Sequence, residues 1–207
     1  MLVVPDRCLN LITCAWLILL LLSLQGCSAL KPRANLIKAT NIHALTQWQA
    51  TGKIAIIDEQ KKQSANFNWL QDNDKYNTSF STFLGINVLS IKRDNDGLFI
   101  AVDGNSYQDD NPERLVYELT GWWLPVDQLS HWLKADIAPH EGTIIRDELG
   151  HIQQFIPHCT ATLCTTQYLI KYGAYRPIEQ LQLPHSVIIQ ASGLTQQMLK
   201  IKIQQWR

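Results

Sequence analysis

The sequence has no surplus of charge of either sign, because 18 lysines and arginines are matched by 18 aspartates and glutamates. A chain with balanced charge offers no basic excess that would attract nucleic acid or anionic lipid. We therefore expect no nucleic-acid partner. No internal repeat or low-complexity segment is present either, which argues against repeat architectures and disordered tails.

Recognisable catalytic motifs are also missing. The chain has no Gly-x-Ser-x-Gly, no His-Glu-x-x-His and no glycine-rich phosphate loop between a strand and a helix. His140 and Glu141 stand between a proline and a glycine, which favours a solvated turn over an acid–base pair. Asp109 and Asp110 are typical of a polar link before a helix. We predict no catalytic residue, no metal site and no cofactor, so the chain is not expected to be an enzyme.

One long apolar run is present near the N-terminus. It extends from Leu9 to Leu24, follows the single cation Arg7 and precedes several small residues, which is the pattern of a secretory signal. The run also reaches about the minimum length that spans a bilayer, so a retained transmembrane anchor is the alternative. The tetrapeptide Leu24-Gln25-Gly26-Cys27 resembles the bacterial lipobox and favours cleavage before the cysteine. We predict a signal peptide at 1–26.

The lipobox resemblance implies that a lipid is attached to the thiol of Cys27. In lipoproteins of enterobacterial type, the residue after the acylated cysteine directs sorting, and Asp there favours the inner membrane. Ser28 occupies that position here and by resemblance implies transfer to the outer membrane. The residues 27–39 are expected to be a lipidated tether before a single domain at 40–207.

Cysteine is otherwise scarce, with five in the whole chain. Two leave with the signal and Cys27 is acylated, so Cys159 and Cys164 remain. In an oxidising compartment this closely spaced pair favours a disulfide. A metal site would need further ligands, such as His151 and His158, and no second cysteine pair exists. Two free thiols remain possible.

The domain is predicted to be mainly β with some helix (α+β). Short runs alternate between apolar and polar residues and are separated by turn signals, as in an antiparallel sheet that curls toward a barrel. The clearest is Leu199 to Gln204. Asn111 followed by Pro112 predicts the start of a helix that ends at Gly121, and a second helix fits Val126 to Leu133. A short helix is also expected where Ile42, Leu45 and Trp48 share a face.

The stretch from Asn77 to Ile91 is unusual because two strands flank the connection Thr82-Phe83-Leu84-Gly85. Turns normally carry small or polar residues, whereas Phe83 and Leu84 are among the most costly residues to leave in water. One interpretation is that the loop folds back onto the domain. The other is that its apolar tip enters a lipid or contacts a partner.

Several stretches together resemble the LolB family of outer-membrane lipoproteins. They are the lipobox, "WQATGKIAI" from Trp48, "SANFNW" from Ser64, the Leu84-Gly85 loop and "LTGWWLPVDQLSHWL" from Leu119. The matches cover most of the mature chain in the family's order. One departure is Phe83, where the family often has proline.

The resemblance implies an unclosed antiparallel β-barrel of about eleven strands, with short helices as a lid or plug over an apolar cavity. It implies that the protein accepts the acyl chains of lipoproteins from the periplasmic carrier LolA and inserts these lipoproteins into the outer membrane. Phe83, Leu84 and Gly85 would form the membrane-insertion loop. The sequence pattern turns four large side chains inward, and we expect them to line the cavity: Phe67, Trp69, Trp123 and Trp132.

The expected protein is a monomer, anchored by lipid in the outer membrane and facing the periplasm. Its expected partners are a LolA-like carrier, the acyl chains of client lipoproteins and the membrane. The rival hypothesis is a structural or assembly lipoprotein of the outer membrane that uses the apolar loop for a protein contact.

Overall fold

Antiparallel β-structure dominates the computed structural model, which describes residues 37–109, 111–158, 166–193 and 196–207. Eleven strands form one sheet, in the spatial order β6-β5-β4-β3-β2-β1-β13-β12-β9-β8-β7. The two edge strands do not pair with each other, so the sheet is an unclosed barrel, as predicted. Its strands are β1 (Gln47–Asp58), β2 (Lys62–Asp72), β3 (Lys75–Ser81), β4 (Asn87–Asp94), β5 (Gly97–Val102), β6 (Asn105–Gln108), β7 (Gly142–Arg146), β8 (Ile152–Pro157), β9 (Thr166–Gly173), β12 (Ser186–Gly193) and β13 (Gln197–Trp206).

A separate two-stranded hairpin is inserted between β9 and β12. It consists of β10 (Arg176–Ile178) and β11 (Leu181–Leu183). The sequence analysis did not predict this hairpin or the short edge strand β6. All four residues of β6 are exposed, so no apolar alternation marks that strand.

One face of the large sheet carries the core. In β13 the side chains of Leu199, Ile201 and Ile203 are buried, whereas Lys200 and Lys202 between them are exposed. Several other long strands alternate in the same way, since successive side chains of a strand point to opposite faces. The buried apolar side chains form one cluster, which defines an inner face and an outer face of the sheet.

Gly52 marks a close approach between β1 and its neighbours. The register of β1 with β13 shifts between Thr51 and Gly52. A methyl group on Gly52 would lie 2.1 Å from the backbone oxygen of Lys202 and 2.9 Å from Cε1 of Phe67. Both distances are shorter than van der Waals contact, so glycine is required at this bulge.

Two short helices follow β6: α1 (Pro112–Thr120) and α2 (Val126–Trp132). The Asn111 side chain accepts a hydrogen bond from the backbone N–H of Arg114 at 2.9 Å, and Gly121 ends α1 at a φ of +73°. These caps agree with the predicted boundaries. The buried side chains of both helices join the cluster on the inner face, so the helices cover that face. A single 3-10 turn, Pro139–Glu141, follows before β7.

The short helix expected around Ile42, Leu45 and Trp48 was a wrong prediction. Residues 41–44 form bends and a turn, in which Asn41 Oδ1 accepts a hydrogen bond from Ala44 N at 2.9 Å. Trp48 belongs to β1, where the pairing of Gln49 with Arg207 holds it beside the C-terminal strand. Pairing with a distant strand overrides the local helical spacing.

The two ends of the sheet differ in what they carry. At the hairpin end, β3 stops at Ser81 and β4 starts at Asn87; β1 also finishes there, and β9 and β13 begin there. At the opposite end, called the tether end, β1 begins at Gln47 and β13 finishes at Trp206. Within the described ranges, no helix is both long enough and apolar enough to cross a bilayer.

Candidate functional site

The loop between β3 and β4 is a tight, hydrogen-bonded hairpin. Thr82 N donates to Ile86 O at 2.9 Å, and Gly85 N donates to Thr82 O at 3.0 Å. Asn66 on the neighbouring strand donates its amide to the same Thr82 oxygen at 3.0 Å. Gly85 has a φ of +83°, a left-handed conformation that favours glycine. The backbone of the loop is therefore fixed by its own hydrogen bonds.

The side chains at the tip of this hairpin project into solvent. Phe83 is 89% exposed, Leu84 71% and Ile86 61%. The interpretation that the loop folds back onto the domain is therefore wrong. Ile86 was missed by the sequence analysis, which took it as the first residue of the returning strand. Three adjacent apolar side chains at one protruding tip form a surface suited to an apolar partner.

The inner face contains two aromatic groups. In the first, the ring of Trp69 stacks on Trp48 at a centroid distance of 6.1 Å and meets Tyr76 at 5.1 Å. In the second, Trp132 meets Tyr168 edge-on at 5.3 Å and Phe155 at 6.5 Å. Three of the four residues predicted to line a cavity, Phe67, Trp69 and Trp132, are thus buried on the inner face, with no more than 6% of their surface exposed.

The fourth predicted residue, Trp123, is half-buried and belongs to the connection between the two helices. Its backbone N–H donates to Gln197 Oε1 at 3.2 Å, and its indole N–H donates to the Tyr168 hydroxyl at 3.0 Å. These contacts tie it to the beginnings of β13 and β9 at the hairpin end.

The neighbouring Trp122 reaches the other side of the inner face. Its indole N–H donates to Gln63 Oε1 on β2, and its ring meets Phe80 of β3 edge-on at 6.2 Å. Residues 121–125, which we call the tryptophan strap, therefore cross the hairpin end of the inner face from β2 and β3 to β9 and β13. The sequence analysis singled out Trp123 but not Trp122, although the adjacent pair was a visible signal.

A cavity of about 900 Å³ opens at the same end of the sheet. It lies between the hairpin-end termini of β1, β8, β9, β12 and β13. Its lining includes Tyr168 and Gln197 of the inner face together with three residues that strand alternation assigns to the outer face, Ile57, Leu169 and Met198. None of the four predicted lining residues borders it. Tyr168 and Gln197 both border the cavity and bond the tryptophan strap, so the strap lies at the boundary between the cavity and the buried interior.

Half-buried ionisable groups accompany this region. Burial raises the pKa of the Glu113 carboxyl on α1 to about 7, and the charge of Asp127 adds to the shift. Burial also raises the pKa of Tyr168. The residues described in the structure contain no cluster of three or more potential metal ligands. The cavity combines apolar lining residues with a few polar side chains that bond the tryptophan strap, and this combination is suited to non-covalent binding of an apolar chain.

Four predicted site residues lie outside the described residues: Cys27 and Ser28 near the N-terminus, and Cys159 and Cys164 between β8 and β9. Their predicted roles in lipid attachment, sorting and a disulfide therefore stay predictions.

Comparison with known proteins identifies a matching family and several relatives that carry its name. The family model described as "Outer membrane lipoprotein LolB" matches residues 46–206. An outer-membrane lipoprotein LolB from Aeromonas salmonicida is 32% identical over 191 residues, covering 90% of this chain and 92% of the relative. One from Shewanella baltica is 29% identical over 189 residues, covering 90% and 85%. Among solved structures, a putative outer membrane lipoprotein-sorting protein domain from Vibrio parahaemolyticus is 9% identical with a TM-score of 0.46, over 78% of this chain and 84% of that chain.

Proposed function

The chain belongs to the LolB family of outer-membrane lipoproteins, and from this membership we propose that it accepts lipoproteins from a LolA-like periplasmic carrier and inserts them into the outer membrane. The observation that carries the proposal is the position of the exposed tip formed by Phe83, Leu84 and Ile86. It projects at the same end of the sheet as the cavity and the tryptophan strap.

Acceptance of a lipoprotein consists of burying its acyl chains. Each methylene moved from water into an apolar site contributes about 0.8 kcal/mol, so the chains bind without covalent chemistry. The cavity at the hairpin end is the entrance in this proposal. When the tryptophan strap moves aside, the chains reach the inner face, where Phe67, Trp69, Trp123 and Trp132 become their lining.

Delivery depends on the hairpin tip. Moving Phe83 or Leu84 from water into lipid is worth roughly 1.5–3 kcal/mol for each side chain, which is sufficient for a transient grip on the membrane. Ile86 enlarges the same surface. The hydrogen-bonded loop keeps these side chains outside the domain, so insertion requires no unfolding of the core.

Membrane attachment in this proposal comes from the N-terminus. Cys27 carries the lipid after removal of residues 1–26, Ser28 directs sorting to the outer membrane, and 27–39 is the tether of a periplasm-facing monomer. Cys159 and Cys164 form a disulfide. The LolB family is one of lipoprotein trafficking, which favours transport over an enzymatic role and over the structural or assembly role.

A mixing experiment tests the proposal. A radiolabelled client lipoprotein bound to a LolA-like carrier is incubated with the purified protein, and the two complexes are separated. We expect the client to move to this protein and, after addition of liposomes, to the lipid. If the client stays on the carrier while the protein is folded, the proposed receptor function is wrong.

A further inference from the structure

Positive charge is concentrated on the outer face of the sheet, although the whole chain is neutral. The four neighbouring strands β9, β12, β13 and β1 carry four lysines and a single acid, Asp58, at the hairpin end. The lysines are Lys53, Lys171, Lys200 and Lys202, and all four are exposed. The balanced net charge thus hides a basic surface that the sequence analysis did not anticipate.

The strand register brings these positive charges close together, which lowers the stability of the sheet. Lys53 of β1 is directly opposite Lys202 of β13, and like charges in that position destabilise a sheet. Lys171 and Lys200 are separated only by Ile188 of β12. None of the four forms an ion pair with another described residue. Stability of the fold therefore does not explain the arrangement.

A groove of about 450 Å³ lies within this surface toward the tether end. Three cations line it, Lys200, Lys202 and the exposed Arg176 of β10. A guanidinium offers paired N–H donors that match a phosphate, and two ammonium groups add charge at the same place. The hydroxyl-bearing Ser186 also borders the groove.

His185 is another residue lining the groove. It is 6% exposed, and its Nδ1 is 2.8 Å from the carbonyl oxygen of Ile203. Because a carbonyl only accepts, Nδ1 is the donor in that bond. Nε2 is buried and has no hydrogen-bond partner among the described residues. Since Nδ1 carries the proton, Nε2 of the neutral ring is an acceptor, and the partner that it lacks is a hydrogen-bond donor and not an anion.

We propose that this groove binds the phosphate of an anionic phospholipid headgroup and docks the outer face of the sheet on the membrane. The proposal rests on the lipidated role proposed above, because the tether supplies the proximity. Residues 28–36 separate Cys27 from Ile37, the first described residue, and extended chain spans at most about 3.3–3.6 Å per residue. A lipid on Cys27 would therefore keep Ile37, the first described residue, within about one tether length of the headgroups. The groove lies level with the middle of β1, because Lys202 is opposite Lys53.

This docking complements the function of the hairpin tip. With the outer face held against headgroups, the inner face and its helices are turned toward the periplasm, where a carrier approaches. Delivery then requires the groove to release the membrane, since the tip lies at the hairpin end of the sheet, away from the groove. Weak, salt-sensitive contacts are suited to such release.

Lysine footprinting of the acylated full chain tests the site. The protein is reconstituted into neutral phosphatidylcholine vesicles and into vesicles with about 30% phosphatidylglycerol, and an amine-reactive label is followed by mass spectrometry. We expect Lys200 and Lys202 to react about threefold or more slowly in the anionic vesicles at low salt, and equally in both at about 0.5 M NaCl. Lys61 and Lys62, exposed at the hairpin end, should react equally throughout.

Matched variants test whether the groove lysines are responsible for the protection. In the Lys200→Gln/Lys202→Gln variant, protection of Lys53 and Lys171 by anionic vesicles should disappear, whereas Lys61→Gln/Lys62→Gln, with the same loss of charge, should retain it. Equal labelling in both kinds of vesicle overturns the proposal. Protection in neutral vesicles by inorganic phosphate alone would identify a free-anion site instead, and protection only after addition of a carrier protein would identify a protein interface. Lipoprotein transfer is not needed for any of these measurements, so failure of the proposed function would be seen separately.

Discussion

Lys134 Nζ lies 2.6 Å from Asp136 Oδ2, and both side chains are buried. The same ammonium donates to the carbonyl of Leu45 at 3.0 Å, and His43 contacts the other oxygen of Asp136. Burial opposes ionisation of Asp136, but the His131 imidazole 3.6 Å away and the hydrogen bond from Lys134 outweigh it and lower its pKa to about 2. This ion pair therefore joins the residues before β1 to the chain after α2.

Removing one partner of this pair should destabilise the domain. Lys134→Met leaves Asp136 buried without its cation, and we expect a loss of about 3 kcal/mol in the free energy of unfolding, measured by urea denaturation at neutral pH. The double variant Lys134→Met/Asp136→Leu replaces both charges with apolar groups and should recover most of that loss. An equal loss in both variants would show that the pair contributes little.

The same pair predicts sensitivity to acid. The pKa of Asp136 is lower in the folded state than the value of about 3.9 in an unfolded chain. Its contribution to stability is therefore complete above the unfolded pKa and is lost as pH falls toward the folded pKa. The double variant should lack this part of the acid dependence.

Glu113 should have the opposite effect of pH. Burial raises its pKa to about 7, so the folded state favours the protonated acid, and stability is lost as pH rises through that value. Glu113→Gln should stabilise the domain by about 1–2 kcal/mol near pH 8, allowing for partial exposure to solvent, with little change near pH 4. Glu118→Gln, an exposed site on the same helix, is the control. A pH-independent effect at Glu113 would contradict the assignment.

Much of the fold could be predicted from local sequence. Leu199, Ile201 and Ile203 alternate so regularly that β13 and its buried face were evident, and Asn111 and Gly121 marked the ends of α1 because capping is a local interaction. Trp48 was misassigned because its strand depends on pairing with residues near the C-terminus, which no local pattern reveals.

The candidate site was harder to predict for the same reason. The sequence pattern correctly predicted that Phe67, Trp69 and Trp132 are buried. The open cavity could not be predicted in this way, because it is formed by the termini of five strands that are distant in sequence. The opposition of Lys53 and Lys202 likewise follows from register alone. The exposed tip was the exception, because two large apolar residues in a four-residue connection are anomalous wherever the strands lie.

The tryptophan strap should respond to loss of a single hydroxyl. Tyr168→Phe removes the oxygen that accepts the indole N–H of Trp123, and a hydrogen bond of this kind is worth about 0.5–1.5 kcal/mol. We expect uptake of an apolar fluorescent dye to become roughly two- to tenfold faster, because the strap is released more readily. In Tyr172→Phe the lost hydroxyl is buried and has no partner among the described residues, so uptake should not change. Equal rates in wild type and Tyr168→Phe would mean that the strap does not limit entry.

The hairpin tip gives a prediction that separates delivery from acceptance. Leu84 is 71% exposed, so Leu84→Glu removes no core packing and should alter the free energy of unfolding by less than about 0.5 kcal/mol, whereas truncating a buried leucine costs roughly 2–5 kcal/mol. The cavity and strap are untouched, so a client should still move from the carrier to the variant. Delivery should fail, because a carboxylate at the tip resists entry into hydrocarbon.

Phe83 and Ile86 retain some apolar surface in that variant, so the combination Phe83→Ser/Leu84→Ser/Ile86→Ser should abolish delivery more completely than Leu84→Glu. The matched control is Leu149→Glu, because Leu149 is 81% exposed in the turn between β7 and β8, at the tether end. It introduces the same charge away from the tip and should leave delivery intact. The client's distribution among carrier, protein and liposomes is measured together with thermal unfolding of each variant. Normal delivery by the triple variant would show that the tip does not insert, and failure of Leu149→Glu as well would show that added negative charge alone, wherever it lies, prevents transfer.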